Sequence, residues 1–252
     1  MEKQLKLGII GLGLIGTSIG RDALAAGWTV EGADVSSENL KTACGFGIRP
    51  LENPAGCDLL AVCAPPTVTA NALPDLLRTT TVPIFDVSSV KKLVADTTEN
   101  LPDRGRFVSV HPMSGRELSG PEGALENLFR GRPCIICDAQ KSEIGAIQMV
   151  EDFWRTICGA ILSRMDTLVH DRHVASVSHL PHLLSFVLAR RIQETTEAGT
   201  AFPELAGKGL EDMLRLSKSD RALWNDIFSS NSEALNENID AFIRLLKDGR
   251  KC

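Results

Sequence analysis

The sequence predicts an α/β chain: a parallel sheet with crossover helices over residues 1–165, followed by an all-helical domain over residues 166–252. Three observations predict it. Short β-rich runs alternate with stretches of helical period through the first two thirds. A turn with glycines at fixed spacing follows the first of those runs. The β signal stops after Met165.

The runs are, in order, "LKLGII", "TVEGAD", "DLLAVC", "VPIFDV", "RFVSV", "PCIIC" and "GAILSRM". Their spacing leaves room for a helix between neighbours, which implies parallel strands. Beyond them, "VASVSHLPHLLSFVLARRI" is apolar nearly all round and predicts a helix buried on most sides. The stretch from Ser219 to Lys247 sets Leu223, Trp224, Ile227, Phe228, Leu235, Ile239, Phe242, Ile243 and Leu246 at helical spacing. Ser219 and Asp220 suit the start of that helix and Gly249 its end. A domain this small and this apolar is expected to pack against a second copy, so a homodimer is predicted.

Composition narrows the function classes. With 43% apolar and 23% charged residues the chain has the balance of a globular protein rather than a disordered or membrane one. Its longest apolar runs fall short of the roughly 20 residues needed to span a bilayer. "MEKQLKLGIIG" lacks the features of a signal peptide, so a cytoplasmic location is expected. A net charge of −5 without a basic run argues against nucleic acid, and an anionic small molecule would need a local basic pocket.

Seven scattered cysteines, among them Cys252, imply reduced thiols. "CIIC" from Cys134 to Cys137 has redox or zinc spacing, but it lies in an apolar run with no second cysteine pair, which makes it structural; no metal site is expected. The chain has no tyrosine, so no phenol can act as a proton acceptor.

The glycine turn is "GLGLIG", with Gly11, Gly13 and Gly16 between a strand and a helix. Gly11 permits the tight turn, Gly13 lets the backbone approach a pyrophosphate, and Gly16 allows close helix packing. The helix start at Leu14 and Ile15 then offers free N–H groups to phosphate. Together these predict a Rossmann-type dinucleotide-binding domain, with Ala64 and Pro65 after the third run as further lining. Asp34 closes the second run, where a carboxylate accepts from the ribose diol and repels a 2′-phosphate; NAD is therefore expected over NADP. Ser36, Ser37 and Lys41 form the counter-reading, a weak phosphate site.

Substrate is expected at the loops after later strands. Two candidates stand there, "DVSSVKK" after "VPIF" and "HPMSG" after "RFVSV", so that His111 and either Ser88 or Ser89 make a proton-handling pair. At this point the chain resembles a known family. "DVSSVK", "HPMSG", "SGPEGALENLFRGRP", "HDRHVASVSHLPH" and "LRLSKSDRALWNDIFSSN", in that order behind "GLGLIG", are similar to the prephenate/arogenate dehydrogenases of tyrosine biosynthesis, from about Leu7 to Leu246.

The resemblance implies oxidation of a cyclohexadienol bearing a ring carboxylate, with hydride passing to NAD, the hydroxyl proton to a histidine, and loss of CO2 leaving an aromatic ring. It makes His111 the base, with Ser89 hydrogen-bonded to it, and Arg215 the holder of the ring carboxylate. Trp224 walls the pocket. His170, His179 and His182 lie on the buried helix of the second domain, with His182 nearest the substrate side chain.

The chain departs from the family pattern at Ser114, usually Ala, and in "GKGLEDMLR", where Lys208, Leu210 and Leu214 replace the usual Gly, Phe and Thr. Lys208 thus adds a cation near the expected substrate entrance. A chain of 252 residues is expected to carry neither a regulatory domain nor a fused mutase. Substrate alternatives within the class are arogenate alone or 4-amino-4-deoxyprephenate. The alternative outside it is a non-catalytic dinucleotide sensor. By residue pattern alone, His179 and His182 also suit core histidines, Trp224 a core residue and Arg215 a solvated helix face.

Overall fold

The computed structural model describes residues 4–116 and 118–249; Cys252 lies outside them. The chain divides into two compact units that part between His170 and Asp171.

In the first unit, β1 (Lys6–Ile10), α1 (Leu14–Ala25), β2 (Thr29–Ala33), α2 (Ser37–Gly45), a short edge strand β3 (Arg49–Pro50), β4 (Leu59–Val62), α3 (Pro66–Thr79), β5 (Ile84–Asp86), α4 (Lys92–Thr98) and β6 (Phe107–Pro112) follow one another. Next come β7 (Pro133–Cys137), α5 (Ile144–Asp152) and β8 (Ile161–Met165). One sheet holds all eight strands in the order β3-β2-β1-β4-β5-β6-β7-β8. The reversal from leftward to rightward growth lies between β1 and β4, which is where a doubly wound sheet opens a crevice.

Side chains dictate this arrangement. All four residues of β4, "LLAV", are buried, as a strand covered on both faces by helices requires. On one face Leu7, Ile9, Phe85 and Val110 pack with Phe129, Phe153 and Trp154; on the other Leu60, Val62, Leu73, Leu77 and Phe107 pack together. Burying each such side chain contributes about 1.5–3 kcal/mol.

One strand departs from the all-parallel expectation, since β7 runs antiparallel to β6. The reason is the connection. Among the described residues no long helix intervenes between Pro112 and Pro133, so the chain turns back beside the strand it has just left. Gly131, with φ +68°, sits in the turn that leads into β7. Strand β8 then pairs parallel to β7 after the α5 crossover.

The unit boundary falls within α6 (Thr167–Val174), and the second unit is helical. A π-helical turn, Ala175–His179, precedes α7 (Leu180–Glu197), which is followed by α8 (Lys208–Leu214), α9 (Arg221–Ser230) and α10 (Ser232–Gly249). The last segment is thus two helices rather than one. Asp220, not Ser219, caps α9 by accepting from the N–H groups of Ala222 and Leu223. The break comes at Asn231, whose buried amide donates to the Asp171 carbonyl and meets His179 Nδ1.

Nor is the apolar helix buried on most sides within one chain. Val177 and Val187 are about half exposed, and Leu245 and Leu246 of α10 are exposed as well.

Candidate active site

All strands from β1 to β6 run parallel, so their carboxyl ends share one edge of the sheet. Along that edge lie the glycine turn after β1, Ala64 and Pro65 after β4, Ser88 and Ser89 after β5, and His111 at the end of β6.

The glycine turn fits a dinucleotide. Gly11 has φ +95°, and a Cβ there would lie 2.4 Å from the Cys63 carbonyl oxygen. A Cβ on Gly16 would lie 2.0 Å from the Gly11 carbonyl oxygen, so α1 can start this close to β1 only with glycine. Gly13 instead faces open space, with nothing within 4 Å of a Cβ, and no side chain caps the helix that follows. The first N–H groups of α1, at Leu14 and Ile15, are left for an anion.

Asp34 holds the turn as well as closing β2: its Oδ2 accepts from Leu12 N–H at 2.7 Å and its Oδ1 from Ser36 N–H at 2.8 Å. Asn39 Nδ2 also donates to Oδ1, at 3.3 Å, so Oδ2 is the oxygen that keeps lone-pair capacity for a ribose hydroxyl. Ser36 is engaged as the cap of α2, accepting from Asn39 N–H, which leaves the weak phosphate reading with less to work with.

His111 is not a loop residue. It pairs in register with Ile135 of β7 and is only 8% exposed. Its Nδ1 lies 2.8 Å from His170 Nε2, and the rings meet edge to face. His170, fully buried on α6, is the last residue of the first compact unit and lies on a different helix from His182. Sequence alone gave no sign of this pairing, because 58 residues separate the two rings.

Ser89 is half-buried on the β5–α4 turn, while Ser88 is buried with its N–H donated to Asp86 and no partner for its Oγ. Ser114, two residues past β6, likewise has a buried Oγ without a partner. Cys134 and Cys137 are buried in β7, and burial pushes the Cys134 thiol well up, so it stays protonated and unreactive.

The second unit gathers a different set. His182 stacks on Trp224 with ring centroids 3.6 Å apart and an angle of 18° between planes. Its Nδ1 lies 2.9 Å from the Ser178 carbonyl oxygen, which can only accept, so Nδ1 carries the proton and Nε2 is the ring's acceptor. Burial, with the nearby Arg215 guanidinium, moves its pKa below the ordinary imidazole value against the pull of that carbonyl. Arg215 itself is exposed, as is Lys208, whose Nζ lies 3.8 Å from Asp212.

His179 is buried and turned to Asn231, as a core histidine would be. The π-helical turn just before Pro181 ends at His179, which meets Trp224 edge to face at 6.1 Å while His182 stacks on the same ring. Asn231 was missed from sequence; the only signal was a lone Asn between two apolar-periodic runs.

Residues 19–163 match the nucleotide-binding domain of prephenate dehydrogenase, and residues 166–251 its dimerization domain. A cyclohexadienyl dehydrogenase from Zymomonas mobilis is 31% identical, over 96% of this chain and 86% of its own length. A prephenate dehydrogenase from Bacillus subtilis is 28% identical, over 94% and 67%. The crystal structure of the A. aeolicus prephenate dehydrogenase, in complex with hydroxyphenyl propionate and NAD+, superposes with a TM-score of 0.87 at 27% identity, covering 99% of this chain and 90% of that one.

Proposed function

Because the chain belongs to the prephenate dehydrogenase family and is thus an NAD-dependent oxidoreductase, we propose that His111 is the base in its oxidative decarboxylation of prephenate. The observation that carries this reading is the His111–His170 pair at the carboxyl edge of the sheet.

With the proton on His111 Nδ1 donated to His170 Nε2, His111 Nε2 is the ring atom that takes the substrate hydroxyl proton. The glycine turn and Asp34 would hold NAD, which would supply the acceptor for the hydride of the carbinol carbon. As the hydroxyl proton moves to His111 Nε2, the carbinol gains the alkoxide character that expels hydride. His170 keeps accepting from Nδ1 and so stabilises the imidazolium that forms. Oxidation then lets the electron pair of the ring–carboxylate bond enter the ring, and CO2 leaves behind a phenolate, which takes back the proton held on His111 to give the phenol.

Ser89 is proposed to meet the substrate hydroxyl, and Arg215 to hold a substrate carboxylate through its bidentate fork. Trp224 and His182 are proposed to border the substrate side chain, with Lys208 as an outer cation that attracts the dianion. Ala64 and Pro65 are proposed to line the cofactor.

One observation favours a second reading of the side-chain preference. A neutral His182 bonded through Nδ1 to Ser178 presents an acceptor at Nε2, which suits the ammonium group of arogenate better than the keto oxygen of prephenate. We therefore propose that both substrates turn over. Two copies are proposed to pair through the second unit, an inference supported by the exposed apolar residues of α7 and α10 and by the family's dimerization domain. Among the described residues no helix is long and apolar enough to cross a membrane.

The test supplies prephenate and arogenate separately, each with NAD and with NADP, and follows reduced cofactor by its near-ultraviolet absorbance. Turnover with NAD is expected for prephenate. Failure of all four pairs would put the dinucleotide-sensor alternative in its place.

A further inference from the structure

We infer that the buried Asp86–Lys91 ion pair is a positioning pair for this reaction: it fastens the turn that carries Ser88 and Ser89 to the β6 backbone one residue ahead of His111. The inference rests on His111 being the proton acceptor.

Both side chains are completely buried, with Lys91 Nζ 2.8 Å from Asp86 Oδ2. Asp86 Oδ2 also accepts from Ser88 N–H at 3.0 Å, and Asp86 Oδ1 accepts from Val110 N–H at 3.2 Å. Lys91 Nζ donates in addition to the Val110 carbonyl. Both backbone polar groups of Val110 thus end on one ion pair.

The register explains why they need it. The β5–β6 ladder ends at Asp86↔Ser109, so Val110 lies one residue beyond its last rung. On the other side, β6 continues its pairing with β7 through Val110↔Ile136 and His111↔Ile135. Without the pair, the β5-facing N–H and C=O of Val110 would be buried and unsatisfied, and the strand end bearing His111 would be tied from one side only. Asp86 and Lys91 stand in for the missing strand.

Stability alone does not account for an ion pair here, because burying two charges costs about as much as their attraction returns, and apolar residues of similar volume often serve as well. Directed bonds to Ser88 N–H, Val110 N–H and Val110 C=O do something an apolar pair cannot: they fix the serine turn and the histidine strand in one frame. Misplacement of a catalytic group by about 1 Å can lower turnover by about 100-fold.

Lys91→Met alone strands a buried carboxylate and is liable not to fold, so the variant to make is the double one, Asp86→Asn with Lys91→Met. It should melt cooperatively and bind NAD within about twofold of the native chain, since the glycine turn is untouched. Its kcat should fall by about 10- to 100-fold with KM little changed. A second readout does not depend on turnover. In protein labelled at its five histidines, the His111 ring resonances and their pH titration should shift in the double variant, while those of His182 stay in place.

A folded double variant with native kcat and unshifted His111 resonances would overturn the inference. So would a loss of activity matched by an equal loss of NAD affinity. If the native chain turns over no substrate, the functional reading fails, and the resonance shifts still decide whether the pair positions His111.

Discussion

In the first unit the proposed base is sealed among strands, 8% exposed and bonded to a histidine that is wholly buried, whereas in the second unit Arg215 and Lys208 stand in solvent on short helices. The sheet unit also finishes its own core: β4 is buried along its length, and Phe85, Phe153 and Trp154 interlock. The helical unit does not, leaving Val187, Ile243, Leu245 and Leu246 uncovered. This contrast suggests a division of labour. Proton transfer requires a base held within a few tenths of an ångström, which a closed sheet supplies; holding a dianion requires accessible cations, which a sparsely packed helical surface supplies.

Substitutions on the two sides should therefore leave different kinetic marks. His111→Asn keeps a polar side chain at the strand end but cannot take a proton at the position of Nε2. General-base catalysis of this kind is worth about 10²- to 10⁴-fold, so kcat is expected to fall by that factor with NAD affinity nearly unchanged. Steady-state kinetics and a cofactor titration measure both. A variant with near-native kcat would return His111 to the role of a buried structural histidine.

Arg215→Ala is expected to act on binding instead. A hydrogen bond to a charged group contributes about 1.5–3 kcal/mol, so KM should rise by about 10- to 100-fold with kcat less affected. Were Arg215→Ala to depress kcat alone, and His111→Asn to raise KM alone, the division between the units would be reversed.

The uncovered apolar residues sharpen the other half of the contrast. If they meet a second copy, sedimentation at micromolar protein should show a dimer, and Ile243→Glu with Leu246→Glu should shift it towards monomer by tenfold or more in dissociation constant, as charges introduced into a buried interface do. The first unit's NAD binding should survive that change. An active, stable native monomer at the same concentration would remove the partner copy from the account.

How far each unit was legible in the sequence follows from the range of the forces that shape it. "GLGLIG" and the alternation of β-rich and helical runs are local signals, and they led to the glycine turn, to seven of the strands and to the crossover helices. The antiparallel β7 was missed because direction depends on what lies in a connection, and 20 residues without a long helix look, in sequence, like room for one.

His111, Arg215, Trp224 and His182 were singled out by type and motif, and the structure stacks two of them, His182 and Trp224, together. Long-range partners were not legible: the His111–His170 bond and the link from Asn231 to Asp171 join residues about 60 positions apart, and no spacing rule reaches that far. Asp86 and Lys91 lie only five residues apart within the quoted "DVSSVKK". Nothing local says that both are buried, so they went unremarked.

The smallest expected effect tests how completely the first unit satisfies its buried groups. Asp22, on α1, is 5% exposed; its Oδ1 accepts from Asn127 N–H at 2.7 Å, but its Oδ2 has no partner. Burial pushes its pKa up to about 6, against the favourable pull of the Asn127 N–H. An acid whose pKa is higher folded than unfolded binds its proton more tightly in the folded state, so the cost of burying the charge is fully present above about pH 6 and is relieved as pH falls towards about 4. Asp22→Asn keeps an acceptor for Asn127 and removes the charge. The variant is therefore expected to be more stable than the native chain by about 1–3 kcal/mol at pH 8, with the advantage shrinking to nothing near pH 4. Paired thermal melts across that range measure the difference in Tm. An advantage that stays constant with pH would mean that Asp22 has the same pKa folded and unfolded, so that burial of its charge costs the first unit nothing.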